Sequence, residues 1–348
     1  MTAEESDHGA EAPHERMLRL HLMGGPWISQ SIHVAAALGI ADHLADAPVG
    51  IAELARATGA HEGALYRFCR ALAGLGVLAA HPDRAFGLTD LGRTLRTDEP
   101  RTLRWGVMLH GGETFRAWGD VLHTVRTGEP AFDHVFGEPF FEYLATHPEY
   151  NEIFNRTMGV TDRPPEVLAE FDFSDARVVA DIGGGIGTLI AQVLVEHPHL
   201  SGVLQDLPAG VEEAPAHLAG AGVADRCEVI GASFFDSVPQ GADVYVVSRV
   251  LHNWDDDRAV ELLTAVRKAM APGGRVLVVD HLLPDESGFH PAMLADLHML
   301  VVLGGQDRTE RELHGLLERS GLRAVRSWDG PVGTSPRVDS MIEAVTAG

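Results

Sequence analysis

The chain has 348 residues, 45% of them hydrophobic and 22% charged, enough to bury more than one core and to form two domains. Lys and Arg number 27 against 50 Asp and Glu, and the net charge of −23 repels phosphate backbones and anionic membranes, so neither nucleic acid nor a membrane is the expected partner. The two cysteines, Cys69 and Cys227, share no CxxC spacing, which fits a reducing, cytoplasmic setting and argues against a disulfide framework or a zinc site.

Residues 1–16 are acidic and poor in large apolar groups, so a disordered tail is expected there. Glu4, Glu5 and Asp7 stand where an export signal would carry basic residues, and no apolar run is long enough to span a membrane. From Met17 to Leu44, residues including Leu18, Leu22, Trp27, Ile28, Ile32 and Leu38 give helical faces too wide for a solvated helix; they call for a partner surface, and a homodimer supplies one. Ile51–Thr58 and His61–Leu75 read as two helices joined at Gly59-Ala60, and Val77–Leu91 as an extended pair turning at Pro82-Asp83. Residues 17–100 thus read as a mainly helical winged-helix domain. Six arginines over 51–96 face Glu53, Glu62, Asp83 and Asp90, a small excess for a groove binder, so a dimerisation role is expected over DNA binding.

Residues 101–163 read as a helical linker and pocket region, with helices over Leu103–Thr127 and Pro139–Thr161. Their Trp105, Met108, Phe154 and Met158 are candidate contacts for a flat ring, although each alone would pass as core. Beyond Pro164-Pro165, residues 164–348 alternate strands and helices as in an α/β, doubly wound, Rossmann-like sheet. The strands expected are Arg177–Ile182, Ser201–Gln205, Arg226–Ile230, Asp243–Ser248 and Arg275–Asp280, closed by an antiparallel terminal pair, Leu322–Trp328 and Val338–Val345. Met293–Leu303 reads as a buried helix interrupted by Asp296 and His298; with Met293, Met299 and Leu303 these are further substrate candidates.

The first of those strands ends in Asp181-Ile-Gly183-Gly-Gly185-Ile-Gly187. Thr188 stands where a dinucleotide fingerprint aligned on Gly183 and Gly185 needs Gly or Ala, so the spacing suits S-adenosylmethionine better than NAD or FAD. Asp206, ending the second strand, is placed to accept both ribose hydroxyls, and Ser233 with Phe234 follows the third strand where adenine would lie. Arg249-Val-Leu-His252-Asn-Trp-Asp-Asp-Asp257 follows the fourth strand at the ligand-binding edge. An imidazole there, with an ordinary pKa near 6.5, can take the proton of a phenol. The three aspartates suit the capping of the next helix better than a magnesium site, and no HxxxH or HExxH spacing points to a metal.

Together, Asp181-x-Gly-Gly-Gly-x-Gly, Gln205-Asp206-Leu-Pro, Leu251-His252-x-Trp254-x-Asp256, Pro272-Gly-Gly274 and Gly304-Gly305-x-x-Arg308-Thr309 resemble the S-adenosylmethionine-dependent O-methyltransferases related to plant caffeic acid and isoflavone enzymes, with bacterial relatives that decorate polyketides, anthracyclines and phenazines. The resemblance runs from about Met17 to the C-terminus. It implies cofactor contacts from Asp181, Gly183, Gly185, Asp206, Ser233 and Phe234, with Ser248 and Arg249 nearby, and a metal-free catalytic group of His252 as base between Asp280 and Asp307. It implies an aromatic acceptor, S-adenosylhomocysteine as product, and a homodimer through the N-terminal domain. The sequence departs from the family at Asp280 and Asp307, often glutamates, and at Ser233 and Asn253, where the family often has aspartate. Two alternatives stay open: a methyltransferase-like enzyme that hydroxylates or otherwise rearranges its substrate, and a ligand-sensing winged-helix regulator.

Overall fold

The computed structural model describes residues 25–161, 165–284, 290, 292–329 and 339–347; the tail and first helical turns expected over 1–24 lie outside them, as does Val338. Two compact units divide the chain, Met1–Glu113 with Glu152–Val160 and Thr114–Asn151 with Thr161–Gly348. The region read as a linker, 101–163, contributes to both.

In the first unit, helices Pro26–Ala37 and Ile40–His43 are separated at Gly39, whose φ of 61° favours glycine, so the continuous helical run expected up to Leu44 is broken there. Helices Ile51–Thr58 and Glu62–Gly74 follow as expected. Strands β1 (Val49–Gly50), β2 (Leu78–His81) and β3 (Ala85–Leu88) form an antiparallel sheet in the order β1-β3-β2, completing a winged helix around Ile40, Leu54, Leu65, Leu72 and Phe86. Burial pushes the Cys69 thiol up to about 11, so it is a packing residue rather than a reactive one. Arg84, Arg93 and Arg96 face Glu62, Asp90 and Asp98, which neutralises half of the arginines a groove binder would have used.

The Leu103–Thr127 run is three helices, Arg104–Gly111, Glu113–Trp118 and Val121–Thr127. Pro139–Thr161 is two, Phe140–Thr146 and Pro148–Thr161, because Pro148 lacks the N–H needed to continue the first and suits the start of the second.

The second unit holds a seven-stranded sheet of β4 (Val178–Ile182), β5 (Ser201–Asp206), β6 (Cys227–Gly231), β7 (Val244–Ser248), β8 (Arg275–His281), β9 (Leu322–Asp329) and β10 (Asp339–Thr346). Its order is β6-β5-β4-β7-β8-β10-β9, with β10 antiparallel to both neighbours and β4 to β8 mutually parallel. Side-chain alternation splits the core cleanly. Val179, Val244, Val246, Leu277 and Val279 pack with Ile190, Leu194 and Leu218 on one face, while Ile182, Tyr245, Val247, Val276 and Val278 pack with Leu262, Leu263, Val266 and Leu317 on the other. The strand order reverses between β4 and β7, and open sheets bind ligands at the carboxyl ends of strands at such a point. The helix Ala292–Leu303 is not fully buried as expected: Ala292, Val301 and Val302 are buried, but Leu294 and Leu297 are 56% and 43% exposed. Among the described residues no helix is long and apolar enough to cross a membrane.

Tyr245 is a polar group that this core must satisfy. Its hydroxyl, pushed up by burial, is shared between the carbonyls of Pro239 and Ala269 and accepts the Ala242 N–H at 3.3 Å. Tyr245→Phe strands those groups and should lower unfolding free energy by about 1–3 kcal/mol in urea titrations. An unchanged midpoint would show that the hydroxyl contributes nothing.

Candidate functional site

After β4 the chain turns through Gly183, Gly185 and Gly187, with φ of 75°, 57° and 86°. The Gly183 N–H donates to the Gln205 carbonyl at 2.7 Å, tying the turn to β5. A Cβ on Gly183 would lie 2.6 Å from Val250, on Gly184 2.4 Å from the Asp181 carboxylate, and on Gly187 2.8 Å from Leu204; beside Gly185 it would meet nothing within 4 Å. Three of the glycines therefore serve close packing, and Gly185 alone borders open space. Asp181, 1% exposed, lies beneath the turn and supports it from below.

Asp206 ends β5 at the rim of that space. Its Oδ2 accepts the Gly185 N–H at 2.8 Å and its Oδ1 the Leu207 N–H at 2.6 Å. Burial raises its pKa while these two donors pull it down, and the net is upward. The carboxylate retains lone pairs for further donors. An open-sided cradle of positive-φ glycines beside a carboxylate at a strand end suits the nucleoside and amino-acid parts of S-adenosylmethionine. Ser233 Oγ accepts the Phe235 N–H at 3.2 Å, which fixes the loop that carries Phe234. Phe234, Phe235 and Trp254 form an edge-on cluster, with the Arg258 guanidinium 3.4 Å from the Phe235 ring centroid. Ser248 ends β7, half-buried. Arg249, at φ 55°, turns its guanidinium onto Asp339 in a bidentate pair of 2.9 and 2.6 Å, so its side chain ties the end of β7 to β10.

His252 sits in a single 3₁₀ turn, Leu251–Asn253. Its Nδ1 is 2.6 Å from Asp280 Oδ1, and its backbone N–H donates to Asp280 Oδ2 at 3.2 Å; the side chains are 12% and 5% exposed. One carboxylate thus grips both the ring and the main chain of the same residue. Burial would raise the Asp280 pKa, but His252, His281 and the His281 N–H hold it below the usual carboxylate range, so it is ionised at neutral pH. An ionised carboxylate only accepts, so Nδ1 carries a proton, and in the neutral form of the ring the lone pair is on Nε2. Asp307, 4% exposed, completes a group with His252 and Asp280 whose polar atoms lie within 4.8 Å of one another.

Asp296, expected to touch substrate, accepts the Asp307 N–H at 2.9 Å; burial and its neighbour Asp307 leave its pKa raised. His298 Nδ1 accepts the Trp118 indole N–H at 3.0 Å, which leaves Nε2–H as its donor. Met293, Met299 and Leu303 share that helix in the second unit, whereas Trp105, Met108, Phe154 and Met158 belong to the first, with Met158 39% exposed. Of the aspartate run only Asp255 caps the helix, accepting the Arg258 N–H at 2.8 Å; Asp256 and Asp257, in its first turn, accept instead from side chains, Asp256 from Gln306 and Arg308 and Asp257 from Arg319. Sequence reasoning gave no role to Arg308 or to His281, whose ring lies parallel to that of His252 with centroids 6.1 Å apart. Their signals were the Gly-Gly-x-x-Arg-Thr motif and a histidine following the strand-end acid.

Residues 118–323 match the family model of an O-methyltransferase domain, and residues 20–98 that of an O-methyltransferase dimerisation domain. The phenazine O-methyltransferase PhzM of Lysobacter antibioticus is 43% identical over 92% of this chain and 95% of its own length. The solved mitomycin 7-O-methyltransferase MmcR superposes with a TM-score of 0.89 at 40% identity, over 96% of this chain and 98% of that one. The O-methyltransferase NcsB1 of neocarzinostatin biosynthesis, solved with S-adenosyl-L-homocysteine and 1,4-dihydroxy-2-naphthoic acid, gives 0.83 at 32% identity over 92% and 96%. The aclacinomycin 10-hydroxylase RdmB of Streptomyces purpurascens is 36% identical over 84% of this chain and 80% of its own length. With its glycine turn, strand-end acids and winged helix in place, the chain belongs to the S-adenosylmethionine-dependent O-methyltransferases and carries that family's dimerisation domain.

Proposed function

We propose that this enzyme methylates a hydroxyl of a flat aromatic natural product, with His252 as the general base. The observation that carries the reading is the double grip of Asp280 on His252, which leaves Nε2 as the proton acceptor. When bound, S-adenosylmethionine supplies a methyl group on a positively charged sulfur. The chain's own part is to hold that donor, align the acceptor oxygen and remove its proton. Asp206 accepts the ribose hydroxyls, Gly185 admits the amino-acid portion while Gly183, packed on Val250, holds the turn that presents it, and Phe234 with Ser233 covers adenine. Asp181 acts through the turn, Ser248 lines the strand end, and Arg249 shapes the edge through Asp339. The acceptor's proton passes to His252 Nε2, and the imidazolium so formed is stabilised by Asp280, with Asp307 adding a second negative charge.

The same spacing supports a base rather than a metal ligand set. Two donor atoms bound to one zinc, each about 2.0–2.2 Å from it, stand roughly 3 Å apart or more, whereas His252 Nδ1 and Asp280 Oδ1 are 2.6 Å apart, the separation of a shared proton. Met293, Met299 and Leu303 on the helix of the second unit suit a fused-ring acceptor, and Trp105, Met108, Phe154 and Met158 of the first unit are, taken by themselves, side chains of the same adaptable aromatic and methionine kind. The wide face of the first helix, with Trp27 71% and Ile28 38% exposed, is read as covered by a second copy through the dimerisation domain. Two free cysteines and an acidic chain suit the cytoplasm.

A second reading, hydroxylation with the cofactor retained, draws on the likeness to the hydroxylase RdmB. Incubation with labelled S-adenosylmethionine and a panel of phenolic natural products separates the two: methyl transfer releases one S-adenosylhomocysteine per methylated product, and hydroxylation releases none.

His252→Ala should lower turnover about 10²–10⁴-fold while S-adenosylhomocysteine titrates as before; an alanine variant at full speed would remove the base. Asp206→Ala should weaken S-adenosylhomocysteine binding by about 1.5–3 kcal/mol in calorimetry if its carboxylate stays ionised, and an unaltered Kd would end the ribose assignment. Light scattering should give twice the 37.4 kDa chain mass; a monomer at micromolar concentration would contradict the dimer.

A further inference from the structure

We infer that Arg308 is the positioning residue for His252, a role that rests on His252 being the base. A single 3₁₀ turn has few internal bonds to resist displacement; here they are Asn253 N–H to Val250 O at 3.1 Å and Trp254 N–H to Leu251 O at 3.2 Å. The Arg308 guanidinium supplies what the turn lacks. Its Nη1 donates to the Leu251 carbonyl at 3.0 Å and its Nη2 to the Trp254 carbonyl at 2.8 Å, bridging the two residues that bracket His252-Asn253. Nε donates to Asp256 Oδ1 at 3.0 Å, and Nη1 also reaches the Gln306 carbonyl at 3.3 Å. Arg308 is 3% exposed, so its charge is withdrawn from water and balanced by Asp256 at the start of the following helix.

The 305–308 segment lies directly against the turn. A Cβ on Gly305 would fall 2.1 Å from the His252 carbonyl oxygen and 2.6 Å from the Asn253 carbonyl carbon. His252 is therefore fixed from two sides, by Asp280 at the end of β8 and by Arg308 through the carbonyls of the turn. Both grips are required because Asp280 is a short acid. Its 2.6 Å contact with Nδ1 exists only while the turn is held down against the strand end, and a shift of about 1 Å would take that bond out of range. A lysine at 308 keeps the charge but cannot fork to two carbonyls, so Arg308→Lys separates bridging from charge.

The direct test is the imidazole Nδ1–H proton signal of His252, which a short bond to a carboxylate moves far downfield. It is identified by its disappearance in His252→Ala and Asp280→Asn. In Arg308→Lys the signal should move upfield or vanish by solvent exchange, turnover should fall about 10²-fold, and the Kd for S-adenosylhomocysteine should stay within about twofold. Gly305→Ala, which pushes the same turn with the arginine intact, should do the same and serves if the lysine variant does not fold. In a double variant, Arg308→Lys should cost nothing beyond His252→Ala. An unmoved signal in a folded variant, or losses that multiply in the double variant, would overturn the role of Arg308 alone. Full turnover in His252→Ala would overturn the base itself, whatever the signal shows.

Discussion

The bond between one carboxylate and one histidine, made twice over, sets the geometry on which the rest of this molecule depends. Asp280 takes the His252 ring proton on one oxygen and its backbone N–H on the other. The sheet makes this possible. β7 and β8 run parallel in a register that pairs Ser248 with Val279, and the Arg249 N–H donates to the Val279 carbonyl at 2.7 Å. The residue after Val279 therefore stands beside the point where the chain leaves β7 for the 3₁₀ turn, and a short side chain is enough to reach it. An ionised acid buried at that point is costly unless fully hydrogen-bonded. The two donors of His252 and the N–H of His281 meet that requirement and keep Asp280 charged.

The neighbouring glycine turn obeys a complementary constraint. Side chains are forbidden at Gly183, Gly184 and Gly187 by Val250, Asp181 and Leu204, so the turn is a packed object with one open side at Gly185. Val250 belongs to the segment that leads into the His252 turn, which means that the glycine turn and the proposed base share a packing contact. On the proposed reading, alignment of donor, acceptor and base is then a property of the sheet edge rather than of any single loop, and alignment accounts for much of the barrier lowering available to a direct group transfer.

Much of this was legible in the sequence because it rests on local signals. All seven strands of the large sheet were placed to within a residue or two: β4, β7 and β8 read as apolar valine-rich runs bounded by turn residues, and the others as shorter or alternating stretches between helices and glycine turns. His252, Asp206 and the glycines stood at strand ends, where topology makes chemistry probable. Contacts between distant segments were not legible. The pairing of Asp280 with His252 came only from the family resemblance, since spacing alone does not bring residues 28 positions apart together, and nothing in the order of residues shows that Arg308 folds back onto carbonyls at 251 and 254. Asp296 and His298 were read as substrate groups because they interrupt an apolar helix. Asp296 turns out to hold the Asp307 N–H, and His298 is tied to Trp118. The break at Gly39 was a local signal passed over, because the hydrophobic pattern continued across it.

A structure of the enzyme with S-adenosylhomocysteine and its phenolic acceptor tests the central claim most directly. The account predicts the acceptor oxygen about 3 Å from His252 Nε2, with Nδ1 still on Asp280 and a different lone pair of that oxygen facing the cofactor sulfur. An acceptor whose hydroxyl points away from the imidazole, or an imidazole released from Asp280 on binding, would contradict it.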